Sequence, residues 1–410
     1  MTPEFTNPPI VATFAATDRL SRLMLWAFSL MLAGVTGFVL TVSAFSEELR
    51  ATRLGVALAG LLALHFLKFR KFVWFREFGF YLAFFIYMLV SLLWTRDVEL
   101  ASNTLVPALD CILVFLLFGS LMAFHSIPVI LIGNLLGFFA GIALYTRTQG
   151  FPFSYPDDFS YNAIAGMYLF GLFLTIVYGC FKRLQLVVVP VALVLMLHIV
   201  ATTSIKTNLG IVLGAFGAAL FYSKQAGALL RRNLLMIVLL GFGLVYVVTS
   251  NESIGEAIER GTDRVSLGVE VLQARDDLPG YSAFQERDQW RSQGIEGWLQ
   301  NPLFGHGVEG FRDRFGITSH STPVDVLYNS GLIGIVLFYL VFVSLLWRIA
   351  TLRRWGSNSL AAIVFGATIC YAFMSLSGVL HYNVFFAAFV TIACTLLSRL
   401  ETSFPNRTSV

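Results

Sequence analysis

The stretch Pro323-Val-Asp-Val-Leu-Tyr-Asn-Ser-Gly-Leu-Ile-Gly-Ile-Val-Leu-Phe-Tyr-Leu-Val-Phe-Val-Ser-Leu-Leu-Trp347 carries one acidic side chain, at its start, and no basic one. A helix needs about 20 mostly apolar residues to cross the hydrocarbon core of a bilayer, and this run is long enough. The sequence therefore predicts an all-α polytopic integral membrane protein with about twelve transmembrane helices. The other eleven apolar runs lie near 23–45, 52–68, 77–95, 103–124, 127–145, 162–180, 184–202, 207–223, 233–249, 358–378 and 380–398.

The composition excludes a water-soluble protein. Of the 410 residues, 57% are hydrophobic and 13% are charged, and the mean hydropathy is +0.76, whereas soluble domains carry about 25% charged residues. The net charge of +4 does not indicate a nucleic-acid partner, because basic residues of membrane proteins collect in cytoplasmic loops. We expect membrane lipids around the chain, no nucleic acid and no cofactor. The cysteines lie in or beside apolar runs, so no disulfide is expected: Cys111, Cys180, Cys370 and Cys394.

A long polar segment, 250–322, divides the chain. Residues 1–249 are expected to form transmembrane helices 1–9, and 323–410 to form helices 10–12 and a short cytoplasmic tail. The first apolar run lacks a small-residue cleavage site, so it is interpreted as a retained helix. With both termini cytoplasmic, sixteen Lys and Arg residues fall on the cytoplasmic side and five in the short loops opposite, which predicts that the polar segment is a large periplasmic loop.

Two capping boxes predict helices inside this loop. Ser253-Ile-Gly-Glu256 and Ser282-Ala-Phe-Gln285 each place a hydroxyl three residues before a side chain that reciprocates the hydrogen bond. The predicted helices cover 254–275 and 283–300. The second is expected to end at Asn301-Pro302.

A glycine-rich stretch, Phe304-Gly-His-Gly-Val-Glu-Gly-Phe311, follows the second helix. It matches GxGxxG, but no strand precedes it and no helix is predicted directly after it, so it is interpreted as a glycine-permitted turn and not as a dinucleotide site. Further on, Thr322 is predicted to be the N-cap of the next span, with Pro323 in its first turn and Asp325 as the reciprocal cap.

Arg287 and Arg291 are four residues apart, so they project from one face of the second loop helix, and Gly294 is expected to leave space on the next turn. Two guanidinium groups in that arrangement suit bidentate binding of a diphosphate. The alternative is a structural network with Glu286 and Asp288, or plain solvation.

Three further side chains are candidates because they are ionisable and lie on the same predicted side as the loop. His320 precedes a transmembrane helix, and an imidazole with a pKa near 6.5 is mostly neutral at pH 7 and can accept a proton from a hydroxyl. Its alternative role is an interfacial polar anchor. Lys206 lies between two apolar runs, where an ionisable residue often marks function, although it can also snorkel from a helix end. His381 is a weaker, accessory candidate.

Acidic residues on this side give no convincing metal-ligand spacing. The close pairs are Asp157-Asp158, Asp276-Asp277 and Glu286 with Asp288, and arginines compete for the last of these. No metal site is expected. A site that uses Arg and Lys to stabilise phosphate charge fits better.

The order of these motifs resembles that of O-antigen ligases and related O-antigen polymerases. His320-Ser-Thr-Pro-Val-Asp-Val-Leu-Tyr-Asn-Ser-Gly-Leu-Ile-Gly334 resembles the family's histidine-then-glycine signature after the long periplasmic loop. Upstream, Arg287-Asp-Gln-Trp-Arg291 and Asn301-Pro-Leu-Phe-Gly-His-Gly-Val-Glu-Gly-Phe311 resemble its R-x-x-x-W and P-x-x-G-x-G-x-x-x-F stretches. Tyr161-Asn162-Ala-Ile-Ala-Gly166 resembles the Asn that opens a middle span. Where the family usually has Ser-Arg, this chain has Ser204-Ile-Lys206, which keeps the charge without the bidentate fork.

The resemblance implies an inverting, metal-independent glycosyltransferase in the bacterial inner membrane, with its active site facing the periplasm. It would transfer a polysaccharide from undecaprenyl diphosphate to a sugar hydroxyl of the lipid A-core. His320 would be the general base, and four cations would hold the diphosphate: Arg287, Arg291, Lys206 and Arg312. Asn162 and His381 would be accessory residues.

Three alternatives remain at this point. An O-antigen polymerase would use the same carrier chemistry but would accept a second carrier-linked repeat. A protein-directed oligosaccharide ligase of the same superfamily would often carry a C-terminal soluble domain. A secondary transporter would be expected to show two related halves and charged residues near the membrane midplane, and neither is evident here.

Overall fold

The structure is a computed structural model of the 410-residue chain. It describes residues 19–45, 50–66, 74–124, 127–149, 161–182, 185–201, 205–221, 281–355, 359–376 and 378–402. Within these ranges the chain forms thirteen α-helices and no β-strand. In chain order they are α1 (Arg19–Phe45), α2 (Arg50–Phe66), α3 (Arg76–Ser91), α4 (Val98–Phe124), α5 (Ile127–Gln149), α6 (Tyr161–Lys182), α7 (Gln185–Ala201), α8 (Ile205–Phe221), α9 (Tyr281–Gln300), α10 (Gly310–Phe315), α11 (Thr322–Trp355), α12 (Ser359–Ser375) and α13 (Val384–Thr402).

The all-helical prediction is confirmed for the described part of the chain. Six of its helices, α1, α4, α5, α6, α11 and α13, are long and apolar enough to cross a membrane, which is consistent with a multi-pass membrane protein. Shorter apolar helices occur within α2, α8 and α12. Helices occupy eleven of the twelve predicted apolar runs; the run at 233–249 and the predicted loop helix at 254–275 lie outside the described residues.

Glycines bring two pairs of helices into close contact. A Cβ added to Gly137 of α5 would lie 1.9 Å from the carbonyl oxygen of Gly34 in α1. Likewise, a Cβ on Gly214 of α8 would lie 2.3 Å from the carbonyl oxygen of Gly366 in α12. Small residues stabilise such pairs in membranes because they let the backbones approach and increase van der Waals contact.

Helix α11 is broken at Gly331, whose φ of 60° and ψ of −161° are not helical. The glycine-rich turn packs against the break: the N–H of His306 donates to the carbonyl of Tyr328 (2.9 Å), and that of Gly307 to the carbonyl of Asn329 (2.8 Å). In return, the N–H of Leu332 donates to the carbonyl of Pro302 (2.9 Å). The break therefore holds the turn beside the N-terminal half of α11.

Candidate functional site

His320 lies in a short turn directly before α11. Its φ is 52°, in the left-handed region that non-glycine residues rarely adopt. The side chain is half-buried, and its ring centroid is 6.0 Å from that of Trp290 in α9. The turn therefore brings the histidine of one predicted motif against the tryptophan of another.

Two serines flank His320 and define the turn. The Ser319 hydroxyl donates to the carbonyl of Ser321 (2.9 Å), and the N–H of Ser321 donates back to Ser319 Oγ (3.3 Å). Ser319 Oγ also lies 3.3 Å from Oδ1 of Asp325, one turn into α11. These hydrogen bonds of Ser319 and Ser321 help to hold the backbone conformation of His320.

The capping box predicted for α11 is wrong. The Thr322 hydroxyl donates to the carbonyl of Gly378 and accepts from the N–H of Leu380 (2.8 Å), so it holds the loop between α12 and α13. The first helical hydrogen bond runs from the N–H of Asp325 to the carbonyl of Ser321 (2.9 Å). The misprediction arises because tertiary partners compete with the local cap for the same hydroxyl.

The carboxylate of Asp325 is the centre of a buried polar cluster. Its Oδ2 accepts from the side-chain amide of Asn329 (3.2 Å) and lies 3.4 Å from Nε2 of His381. Asp325 is only 4% exposed and His381 only 2%. Asn329 also accepts, through Oδ1, from the N–H of Phe311 (2.9 Å). The cluster therefore ties α10, α11 and the α12–α13 loop together.

His381 is enclosed by aromatic rings. Centroids of Phe84 and Phe338 each lie 6.0 Å from the imidazole centroid, and that of Tyr382 lies 3.9 Å away. The Tyr81 hydroxyl donates to the backbone carbonyl of His381. Burial lowers the pKa of His381 to about 3, so the ring is neutral at pH 7 and can present Nε2–H to Asp325. The sequence predicts His381 as a candidate residue but does not predict its contact with Asp325.

Glu309 adds a second buried carboxyl group near Asp325. It caps α10 with a left-handed φ of 59°, and it is 6% exposed. Burial raises the pKa of Glu309, while a hydrogen bond from Thr104 and the charge of Arg312 act in the opposite direction. Two carboxyl groups in one buried cluster disfavour simultaneous ionisation.

The glycine-rich turn has the conformation that the sequence predicts. Gly305 and Gly307 have φ values of 70° and 90°, and the N–H groups of His306 and Gly307 are engaged by α11. These N–H groups are therefore not available to a dinucleotide phosphate. One detail differs: the six-residue helix α10 begins at Gly310, where no helix was predicted.

His306 holds the turn against α9. Its Nε2 lies 2.8 Å from the carbonyl of Gly297, and its ring stacks on Tyr328 at a centroid distance of 4.4 Å. The side-chain amide of Asn301 donates to Nδ1 (3.3 Å). The histidine inside the motif is therefore structural.

Helix α9 covers 281–300, close to the predicted 283–300, and it ends at Gln300 as expected. Ser282, the predicted N-cap, lies inside the helix. Gly294 does not leave open space: a Cβ there would lie 2.4 Å from Val324 and 3.0 Å from Phe311. The glycine instead serves the packing of α9 on α11.

The structure describes the side chains of two of the four predicted cations. Arg291 is half-buried on α9, and Arg312 is exposed on α10. The backbones of Arg287 and Lys206 lie in α9 and the first turn of α8, and that of Asn162 lies in the first turn of α6. The side chains of these three residues lie outside the described part of the structure. Convergence of the cations on one diphosphate therefore stays a prediction.

The assembled residues place a half-buried imidazole, His320, at the edge of a buried acidic cluster. In the described part of the chain, no three His, Cys, Asp or Glu side chains meet in a way suited to a metal ion. Neither a protein-family model nor any curated protein matches this sequence. Functional inference therefore rests on the site itself and on the motif order.

Proposed function

We propose that the protein is a metal-independent, inverting glycosyltransferase that ligates a polysaccharide from undecaprenyl diphosphate onto the lipid A-core. In this proposal His320 is the general base for the acceptor hydroxyl. Arg287, Arg291, Lys206 and Arg312 stabilise the diphosphate leaving group. These roles are the ones implied by the resemblance of the motif order to that of O-antigen ligases.

One observation carries the proposal: the motifs of the resemblance pack together. Trp290 from the R-x-x-x-W stretch lies beside His320, with 6.0 Å between ring centroids, although thirty positions separate them in the sequence. The glycine-rich turn is bonded to the same helix, α11, that His320 precedes. The motifs of the resemblance therefore lie together near the N-terminal end of α11.

The division of roles follows from the chemistry of the substrates. A sugar hydroxyl is a weak nucleophile, so its attack on the anomeric carbon is assisted by a base that removes its proton. The diphosphate leaves with its own negative charge, so its departure needs stabilisation by cations more than protonation. A half-buried histidine with arginines on the neighbouring helices α9 and α10 supports this division.

The membrane arrangement belongs to the same proposal. We infer about twelve spans in the bacterial inner membrane, with 250–322 in the periplasm, from the apolar runs and the bias of Lys and Arg. The break in α11 is compatible with a membrane span, because non-helical backbone at membrane depth requires protein partners for its polar groups. The glycine-rich turn supplies such partners.

The discriminating experiment is deletion of the gene encoding this chain, followed by analysis of lipid-linked and lipid A-linked glycans. A ligase predicts uncapped lipid A-core together with accumulation of long lipid-linked polymer. Accumulation of single lipid-linked repeats would identify a polymerase. Unchanged glycans of both kinds would contradict either enzyme.

A further inference from the structure

We propose that Asp325 and His381 form a buried positioning pair that holds His320 in its left-handed conformation, with the imidazole directed as the reaction requires. The inference rests on the proposed function of His320. It assigns a role to two residues that never meet the substrate.

The backbone of His320 is in the left-handed region. A left-handed conformation brings Cβ of a non-glycine residue too close to the neighbouring carbonyl, so it persists only where the surroundings impose it. The chain uses glycine for such conformations at Gly305, Gly307 and Gly316, and among the described residues Glu309 is the other non-glycine residue with a left-handed φ. At position 320 the imidazole is retained despite the cost.

Hydrogen bonds of Ser319 hold the turn that contains His320. Ser319 is fully buried and bridges two groups: its Oγ lies 2.9 Å from the carbonyl of Ser321 and 3.3 Å from Oδ1 of Asp325. The serine turn is thereby anchored to the first turn of α11. Loss of the Asp325 carboxylate would remove the hydrogen bond that ties Ser319 to the first turn of α11.

His381 is a polar partner of the buried Asp325 side chain. A buried carboxylate is costly unless hydrogen bonds and charge partners compensate it. Oδ1 of Asp325 faces Ser319, and Oδ2 faces Asn329 and His381. The ring of His381 has Nδ1 without a hydrogen-bond partner among the described residues, so Asp325 is the polar group that orients it. Thr322 fastens the loop preceding His381 to the start of α11.

The burial of the pair excludes direct catalysis. Asp325 and His381 are 4% and 2% exposed, so an acceptor sugar or a diphosphate cannot reach their polar atoms without rearrangement. Their effect on the reaction must therefore pass through the turn that carries His320. This makes the proposal distinguishable from a second catalytic base.

The first test does not depend on enzymatic activity. His320→Cys is introduced into full-length protein in which the cysteines at 111, 180, 370 and 394 are replaced, and alkylation by a membrane-impermeant maleimide is timed. We expect Asp325→Ala and His381→Ala each to accelerate labelling several-fold by releasing the half-buried side chain. Ser344→Ala is the control, because it removes a buried hydroxyl of α11 that donates to Glu77 instead. Equal labelling rates in all four proteins would overturn the proposal.

The second test is a double-mutant cycle on transfer. Asp325→Asn preserves shape and serves where the alanine variant fails to accumulate. If Asp325 acts through His320, Asp325→Asn lowers kcat while leaving KM for the lipid donor unchanged, and it lowers kcat no further in a His320→Ala background. If Asp325→Asn and His320→Ala lower kcat by independent factors that multiply in the double variant, the positioning role is wrong. Full activity of His320→Ala alone would instead reject the proposed base, while the labelling result would still decide the positioning of residue 320.

Discussion

His320, the proposed general base, has an unfavourable backbone conformation, and the contributions of its side chain and its backbone can be separated by substitution. Glycine adopts a φ of 52° without steric cost, whereas alanine retains the Cβ clash. We expect His320→Gly to be more stable than His320→Ala by about 1 kcal/mol, measured as thermal unfolding in one detergent. Gly55→Ala in α2, where no atom lies within 4 Å of an added Cβ, should show the opposite preference. Greater stability of the alanine variant at 320 would contradict the assigned conformation.

The arginine pair gives a second prediction at this scale. Replacing Arg287 and Arg291 together by lysine keeps both charges but removes the bidentate forks that suit a diphosphate. Transfer should fall substantially while protein levels and membrane insertion stay normal, as measured with purified protein and a lipid-linked donor. Arg76→Lys, at an exposed position in the first turn of α3, is the control. Wild-type activity of the double variant would leave the pair as a structural network.

Local pattern predicted some site residues and missed others for a physical reason. Position 320, the glycine-rich turn and helix α9 are encoded in short stretches, so sequence reasoning reaches them. Asp325 and His381 meet across 56 positions, and no local rule pairs them. Asp325 was interpreted as a helix cap because its local spacing fits one, but buried partners outcompeted that role.

At the scale of elements, the break in α11 determines where the glycine-rich turn lies. Gly331 combines a φ of 60° with a ψ of −161°, a region that is essentially confined to glycine. A Cβ there would also lie 2.3 Å from the carbonyl oxygen of Leu303. The glycine therefore both permits the break and admits the turn.

Gly331→Ala should consequently destabilise the protein by at least about 1–3 kcal/mol, because the backbone is strained and the turn is displaced. Transfer should be lost with it. Gly316→Ala is the matched control, since Gly316 also has a positive φ of 72° but no atom within 4 Å of an added Cβ. Denaturant or thermal unfolding of both variants measures the difference. Equal losses would show that the turn does not pack against the break.

Hydropathy predicted the helices but not this break. The run 323–347 is predominantly apolar, and glycine inside such a run is compatible with an intact helix in a membrane. Only the hydrogen bonds from His306 and Gly307 to the released carbonyls show why the helix opens there. Those bonds join segments more than twenty residues apart.

At the scale of the whole molecule, and among the described residues, Arg53 and Asp110 form a buried ion pair between α2 and α4, and two further buried clusters with charged side chains lie on α11. Near its N-terminal end lie Asp325 and its partners. Toward the other end, Arg348 donates from Nε and Nη2 to both carboxylate oxygens of Glu401 in α13 (2.8 and 2.9 Å) and lies 3.4 Å from Oε2 of Glu77 in α3. Composition predicted neither cluster, because it indicates how much charge a membrane protein carries and not where the charges meet.

The proposed glycosyl transfer is expected to need no metal ion. In the proposed site, Arg287, Arg291, Lys206 and Arg312 would supply the positive charge that a divalent cation would otherwise bring to the diphosphate. Transfer by the purified protein should therefore persist in excess EDTA, followed as polymer joined to lipid A-core. Loss of transfer on chelation, with recovery on addition of Mg²⁺ or Mn²⁺, would show that a metal is required.

Single-turnover transfer by purified His320→Gly and His320→Ala measures whether the imidazole of His320 removes the acceptor proton. Glycine preserves the turn without strain, so a defect shared by both variants belongs to the missing imidazole and not to the backbone. If the imidazole is the base, both variants should lose about 10²–10⁴-fold in rate and retain donor binding, because removal of a general base typically costs that much. Transfer by His320→Gly at a rate near that of the wild type would contradict this role.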